Sequence, residues 1–321
     1  AHTELEDPRE AVAAIHAAIQ TDLESLGRPT LAVLFASHDY SSQLDLICHE
    51  IGRQVSPIDL IGCTGESIVH DGNEFEDRSC ISLWAAWLPD AEIDVMHLTY
   101  LRSADGGAFT GWTSSSNEDW PGDATLLTLA EPYSFPADVF LQRINSASES
   151  TQVVGGLAGG GGPHEARVIM NGDVLDQGAV VVAIRGVPIT PVVAQGCRPI
   201  GDPFVITKAE RNEIFELGGK KAHAQLQAVY DRLPNCDKEL VRRGVHLGRV
   251  VNEYQETFEY GDFIIRNVTG VDSEEQSLLV GDYYRPGQTV QFHVRDASSA
   301  SQDLRQLLSN EHLRDANAAL L

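Results

Sequence analysis

Between Val153 and Gly186 the chain reads VVGGLAGGGGPHEARVIMNGDVLDQGAVVVAIRG, with six glycines in the eight residues from Gly155 to Gly162. This stretch restricts the fold most, because glycine is required where a backbone bends sharply or lies close against another backbone or a ligand. An apolar pair enters the glycines, Asn171-Gly172 follows, and the apolar run Ala179 to Ile184 closes the stretch. Asn-Gly between apolar-alternating runs marks a hairpin, since both turn positions need positive φ. The order is therefore strand, glycine loop, hairpin, strand, with Ala166 to Met170 pairing against Asp173 to Leu175. The loop is not a phosphate motif. A P-loop closes on Lys and Ser or Thr before a helix and a dinucleotide fingerprint also opens a helix, whereas Pro163-His164-Glu165 leads into a strand. The glycines serve tight packing or turn geometry, direct ligand contact, or both.

A second stretch of the same order lies upstream. Leu60-Ile61-Gly62-Cys63-Thr64-Gly65-Glu66-Ser67 runs from an apolar pair into glycine and small residues, a polar hairpin region spans His70 to Arg78, and Cys80 to Leu88 is apolar. Two such units in one chain point to internal duplication.

The first helix is expected over Pro8 to Leu26, with Val12, Ile15, Ile19 and Leu23 on one face and Gly27 at its end. A buried strand at Leu31 to Ala36, a helix over Ser41 to Gly52 and the unit at Leu60 have the size of a crossover. Strands are expected at Ile93 to Leu98 and Thr125 to Leu129, an irregular loop at Ser103 to Asp123 around Trp112 and Trp120, and a helix at Asp138 to Ser146. Pro188 and Pro191 mark a change of character, and Gly196 to Pro203 reads as a joint, so the domain boundary is placed near Val187. Beyond it come a hairpin around Ala209 to Asn212 and a helix at Lys220 to Leu233. Four strands follow, at Val245 to Val251, Asp262 to Val268, Ser277 to Tyr284 and Thr289 to Arg295, and then a helix capped by Asp296.

Length and charge narrow the function. The 321 residues suffice for two domains with real cores. With 47 acidic and 23 basic side chains the formal charge is −24, a surface that repels nucleic acid and anionic membranes. The five cysteines are widely spaced with no C-x-x-C pair, which argues for a reducing compartment and against a zinc cage or disulfide framework. The longest apolar stretch, Ala179 to Ala194, is broken by Arg185, Pro188 and Pro191 and falls short of the roughly 20 residues of a membrane helix. No metal-spaced set forms among the 11 histidines, and His246 and His293 read as strand residues.

Taken with the downstream pieces DFIIRNVTGVD and TVQFHVRDASSASQDL, the pair IGCTGESIV and VVGGLAGGGG resembles the FIST family of bacterial intracellular sensory proteins. The resemblance runs from about Thr30 to the end, and RN-x-x-G-x-D and Q-F-x-x-R-D-A are its most specific parts. It implies an α/β (α+β) protein with a FIST N-terminal domain over 1–187 and a FIST C-terminal domain over 188–321. These would be two related domains, each a mixed sheet with helices packed on it. It also implies a cytoplasmic module that binds a small ligand such as an amino acid and acts in signal transduction, alone or with a signalling partner. Some FIST-related proteins are haem-binding nitric-oxide sensors, so haem on a single histidine is the alternative cofactor. FIST C-terminal domains continue past the point at which this chain ends in Ala318-Ala319-Leu320-Leu321, so that domain is expected to be incomplete. An unpaired sheet edge, and with it a homodimer, would follow.

The expected ligand site combines Cys63, Thr64, Glu66, Gly155 and Gly156 with Arg266, Asn267, Asp272 and Arg295. Glu66 after a glycine turn suits a ligand amine, and an arginine fork suits a carboxylate. The competing readings are a solvated turn carboxylate for Glu66 and structural ion pairs, Arg266 with Asp272 or Arg295 with Asp296. Cys63 beside Glu66 is the enzymatic alternative. No histidine accompanies Cys63 in sequence and free cysteine usually packs as a small hydrophobe, so turnover is not expected.

Overall fold

The computed structural model describes residues 1–103, 106–112, 124–148, 150–162, 165–255, 258, 261–309, 313, 316 and 318–320. It contains two compact units, Ala1–Ile189 and Thr190–Ala318.

Both glycine repeats lie in the first unit, and each supplies the central strands of one sheet, with the second repeat's hairpin joining the edge of the first. In the first repeat the strand Leu31–Ser37 leads through a 3-10 turn and the helix Leu44–Gln54 to the parallel strand Asp59–Gly65. A hairpin, Ile68–His70 with Asn73–Phe75, then precedes the antiparallel strand Ile81–Ala86. The second repeat has the same parts: Thr125–Ala130, the helix Ala137–Ala147, parallel Gln152–Leu157, the hairpin Val168–Met170 with Asp173–Leu175, and antiparallel Ala179–Arg185. The helix between Ser41 and Gly52 begins later than the sequence pattern indicates, because His38–Gln43 winds as a 3-10 helix first.

The two sheets stack, and alternation along each strand explains how. Leu31 and Val33 point with Ile61 and Cys63 toward Leu127, Leu129, Val180 and Val182 of the other sheet. Ala32, Leu34 and Ala36 point the other way, onto Val12 and Ile15 of the helix Pro8–Leu26 and Leu44, Ile47 and Ile51 of the second helix. Val181 and Ala183 likewise face Phe140 and Ile144 of the third helix. Helices thus cover the outer face of each sheet, and strands buried on both faces read as continuous apolar runs. The first helix starts at Asp7, whose Oδ1 accepts the N–H of Arg9 and of Glu10, both at 3.0 Å, and ends at Gly27 with φ 76°. Of the Ser103 to Asp123 loop, Ala108–Thr110 is a short strand and Trp112 stacks on Phe140, while Trp120 lies outside the described residues.

The second unit is a seven-stranded antiparallel sheet. Its longest strand, Cys197–Glu210, pairs with Thr289–Arg295 on one side and Glu213–Leu217 on the other, so the ring of strands closes. Residues 196–203, read from the sequence as a joint, mostly belong to that strand. Their glycine and proline instead mark an irregularity between Ile200 and Phe204, where Gly201 has φ 66°. The helix Ala222–Arg232 brings Ala222 and Val229 to the core, joined by Leu240 from a further helix, Asn235–Arg243, that sequence periodicity missed.

Candidate functional site

Strands Leu31–Ser37 and Asp59–Gly65 run parallel, and their carboxyl ends deliver His38 and Glu66 side by side with the glycine loop. Ligands of open α/β sheets bind outside the carboxyl ends of such strands. Thr64 fixes the loop and hairpin there. Its carbonyl accepts the Gly159 N–H at 2.9 Å, its N–H donates to the Arg167 carbonyl at 3.0 Å, and its Oγ1 accepts the Arg167 N–H at 2.9 Å. Thr64 is consequently buried and its polar groups are engaged.

The loop needs glycine for two separate reasons. Gly160 and Gly161 take φ 84° and 93°, where side chains are strained. A Cβ on Gly160 would stand 2.5 Å from His38 Cβ, and one on Gly161 would stand 2.6 Å from Glu165 Cβ and 2.9 Å from His38 Cε1. The Gly162 N–H donates to Glu165 Oε2 at 2.5 Å, and Ser41 Oγ lies 3.1 Å from His38 Nδ1. His38 and Glu165 are therefore part of this mouth although sequence reading did not select them. The signal available for His38 was its place directly after the first strand of a crossover. Glu66 is exposed, and among the described residues its carboxylate has no hydrogen-bond or ion-pair partner.

Cys63 points into the space between the sheets, where burial pushes its thiol up to about 12, so no thiolate forms near neutral pH. Gly155 lies so close to the neighbouring strand that a Cβ would be 1.9 Å from the Thr128 carbonyl oxygen, whereas a Cβ on Gly156 would meet nothing within 4 Å.

The other four expected residues belong to the second unit and do not share one face of its sheet. Asn267, His246 and His293 form one cross-strand row, and Arg295 lies on the same face opposite Cys197. Arg266 is on the reverse face with its Nε 3.5 Å from Asp282, which Arg249 flanks at 3.7 Å. Asp272 accepts the N–H groups of Glu274 and Glu275 at the next turn. The ion pairs are therefore Arg266 with Asp282 and, for Asp296, Arg198 at 3.1 Å, rather than the sequence neighbours. Arg198 also meets Asp237 at 2.5 Å. Hydrogen bonds from Ser299, Ser298 and Arg198 hold the Asp296 carboxyl down at about 2.

A cavity of about 260 Å³ in the second unit is lined by Phe204, Val229, Leu233 and neighbouring polar residues, and one of about 360 Å³ in the first by His16, Leu23, Arg28 and others. None of the nine expected residues lines either. Residues 30–220 match the model of the FIST N domain and residues 226–321 that of the FIST C domain. The chain belongs to the FIST family. The FIST N match crosses the division between the compact units at Ile189 and Thr190. An uncharacterized protein of Mycobacterium tuberculosis is 36% identical over 300 residues, covering 93% of this chain and 76% of the relative. One of Mycobacterium bovis is 34% identical over 295 residues, covering 91% and 75%.

FIST domains are sensory modules of bacterial signal transduction and are in general not catalysts. Among the described residues no group of three or more His, Cys, Asp or Glu side chains could hold a metal ion, and no helix is long and apolar enough to cross a membrane. The buried His293 does not fit as a haem ligand in this FIST chain. The His293 ring packs on Phe263 at 4.8 Å, its Nδ1 lies 2.9 Å from the Gln291 carbonyl, and a Cβ on Gly248 would already be 2.5 Å from its Cε1, so a porphyrin has no room beside it.

Proposed function

We propose that the chain is a cytoplasmic sensory module that binds an amino acid or similar small zwitterion at the glycine-loop mouth and reports it to a signalling partner. The observation that carries this reading is the unpartnered Glu66 carboxylate set beside Gly159–Gly162 at the carboxyl ends of two parallel strands. Glu66 receives the ligand ammonium. The amides of Gly160 and Gly161, which have no backbone partner among the described residues, receive the carboxylate. That is the role first given to Arg266, whose guanidinium stands against Asp282. His38, half-buried at the same mouth, adds a ring edge beside Gly160 and Gly161.

A thermal-shift and calorimetric screen of amino acids and small carboxylates tests this. Glu66→Gln should weaken binding by about tenfold, the value of one charge-assisted hydrogen bond, while Arg266→Ala should leave it unchanged. A panel with no stabilising compound, or full affinity in Glu66→Gln, would remove the site.

A further inference from the structure

The two repeats of the first unit share their strand register residue by residue, but among the described residues only one has its outer edge covered. Leu34 pairs with Gly62 and Thr128 with Gly155, and in both pairs a Cβ on the glycine would fall on the neighbouring carbonyl oxygen, at 2.1 and 1.9 Å. Gly62 and Gly155 are therefore equivalent, as are Leu60 with Val153 and Thr64 with Leu157.

Along Asp59–Gly65 the outward groups are taken. The Leu60 N–H donates to Asn171 Oδ1 at 2.8 Å and its carbonyl accepts the Asn171 N–H at 2.7 Å. Gly62 stands opposite Ile169, and the Thr64 N–H reaches the Arg167 carbonyl at 3.0 Å. Along Gln152–Leu157 the next N–H, that of Ala158, turns inward to Ala130 at 2.8 Å. Direction alternates along a strand, so Val153, Gly155 and Leu157 present their groups outward. Among the described residues no strand pairs with them there.

The hairpin that symmetry would bring to this edge is Ile68–His70 with Asn73–Phe75. It has the arm lengths of Val168–Met170 with Asp173–Leu175, and the same pair of positive-φ turn residues, Asp71-Gly72 against Asn171-Gly172. It cannot follow its counterpart, because only Glu66 and Ser67 tether it, whereas residues 158–167 carry the other hairpin across. It forms a two-stranded sheet of its own that packs beside the first repeat, with Ile68 and Phe75 buried against Cys80 and Phe35.

We propose that the bare edge Gln152–Leu157 is a dimer seam, on which a second copy lays its own Gln152–Leu157 antiparallel about a two-fold axis. Antiparallel is the direction of the strand that covers the equivalent edge of the first sheet. A two-fold rotation supplies it with the same outward N–H and C=O groups, and the contact closes after two copies. The edge also lacks the devices that keep strands apart: Thr151 to Gly162 contains no charged residue and no proline, in a chain of net charge −24. Leu157, 56% exposed in the single chain, gains cover.

Sedimentation equilibrium of the full chain should give a reversible monomer–dimer equilibrium that tightens with added salt, because the acidic surfaces repel at low ionic strength. Val153→Pro deletes one outward N–H without touching the ladder to Thr125–Ala130, and Leu157→Lys places a charge on the edge. Each should raise the dimer dissociation constant by about tenfold or more. In the wild-type protein, amide exchange at Val153, Gly155 and Leu157 should slow as concentration rises, a readout independent of how the variants fold. A monomer at all concentrations, a dimer of unchanged affinity in both variants, or exchange at these amides indifferent to concentration would each overturn the seam.

Discussion

Gly62→Ala probes the close approach on which the first sheet depends. The added Cβ would lie 2.1 Å from the Leu34 carbonyl oxygen and 3.0 Å from the Leu34 carbonyl carbon and Cβ, all fixed parts of the neighbouring strand. Relieving it to even a tight contact means moving the strands apart by roughly 1 Å, a fifth of their normal spacing of about 4.8 Å. Ladder hydrogen bonds of about 2.9 Å would stretch beyond bonding distance on either side of the substitution. Asp59–Gly65 cannot yield by sliding outward, because Val168–Met170 is paired on its other side. Losing two or three buried backbone bonds at about 1 kcal/mol each, with the overpacking strain of a closed core, gives a loss of about 3 kcal/mol or more. Gly156→Ala is the matched control, since its Cβ would meet nothing within 4 Å. Urea unfolding followed by circular dichroism should show a large fall in the midpoint of the first unit's transition for Gly62→Ala, and a change within about 0.5 kcal/mol for Gly156→Ala. Equal midpoints for the two variants would refute the close-approach reasoning.

Other outcomes follow from the same geometry. Burial lowers the His293 imidazole from its ordinary 6.5 to about 4, so the folded second unit holds it neutral while the unfolded chain protonates it. Stability from this group is complete above about pH 6.5 and falls as pH drops toward 4, by up to about 3 kcal/mol; His293→Phe should flatten that slope in urea titrations, and an unchanged slope would count against it. Arg198→Ala leaves Asp237 and Asp296 facing each other without their shared cation, and should cost about 1 to 3 kcal/mol in thermal unfolding, whereas an unaltered melt would assign the cluster to the surface. Of the five cysteines only Cys236 is exposed, so brief alkylation of the native protein should add one label by mass spectrometry, and modification of Cys63 would contradict its burial.

Local chemistry settled much of this protein from its sequence alone. Pro8 and Gly27 bound the first helix, Asn171-Gly172 places the second hairpin turn, and Asp296 caps the last helix through the Ser298 N–H at 3.3 Å. These signals act within a few residues, so they survive without knowledge of the fold. The repeat was legible for the same reason, as an order of apolar, glycine and turn residues, and that order is also what singled out Glu66 and the glycine loop for the site proposed above. Partnership across distance was not. Arg266 meets Asp282 rather than Asp272, Asp296 meets Arg198, and His38 joins Glu66 because two parallel strands end side by side. Nor did the sequence tell which edge each hairpin joins. Near-identical turns give one hairpin that crosses to the opposite sheet and one that stays, and the difference lies in a ten-residue tether against a two-residue one. Hydrogen-bonding groups on every edge are chemically alike, so reach and packing in three dimensions select among them.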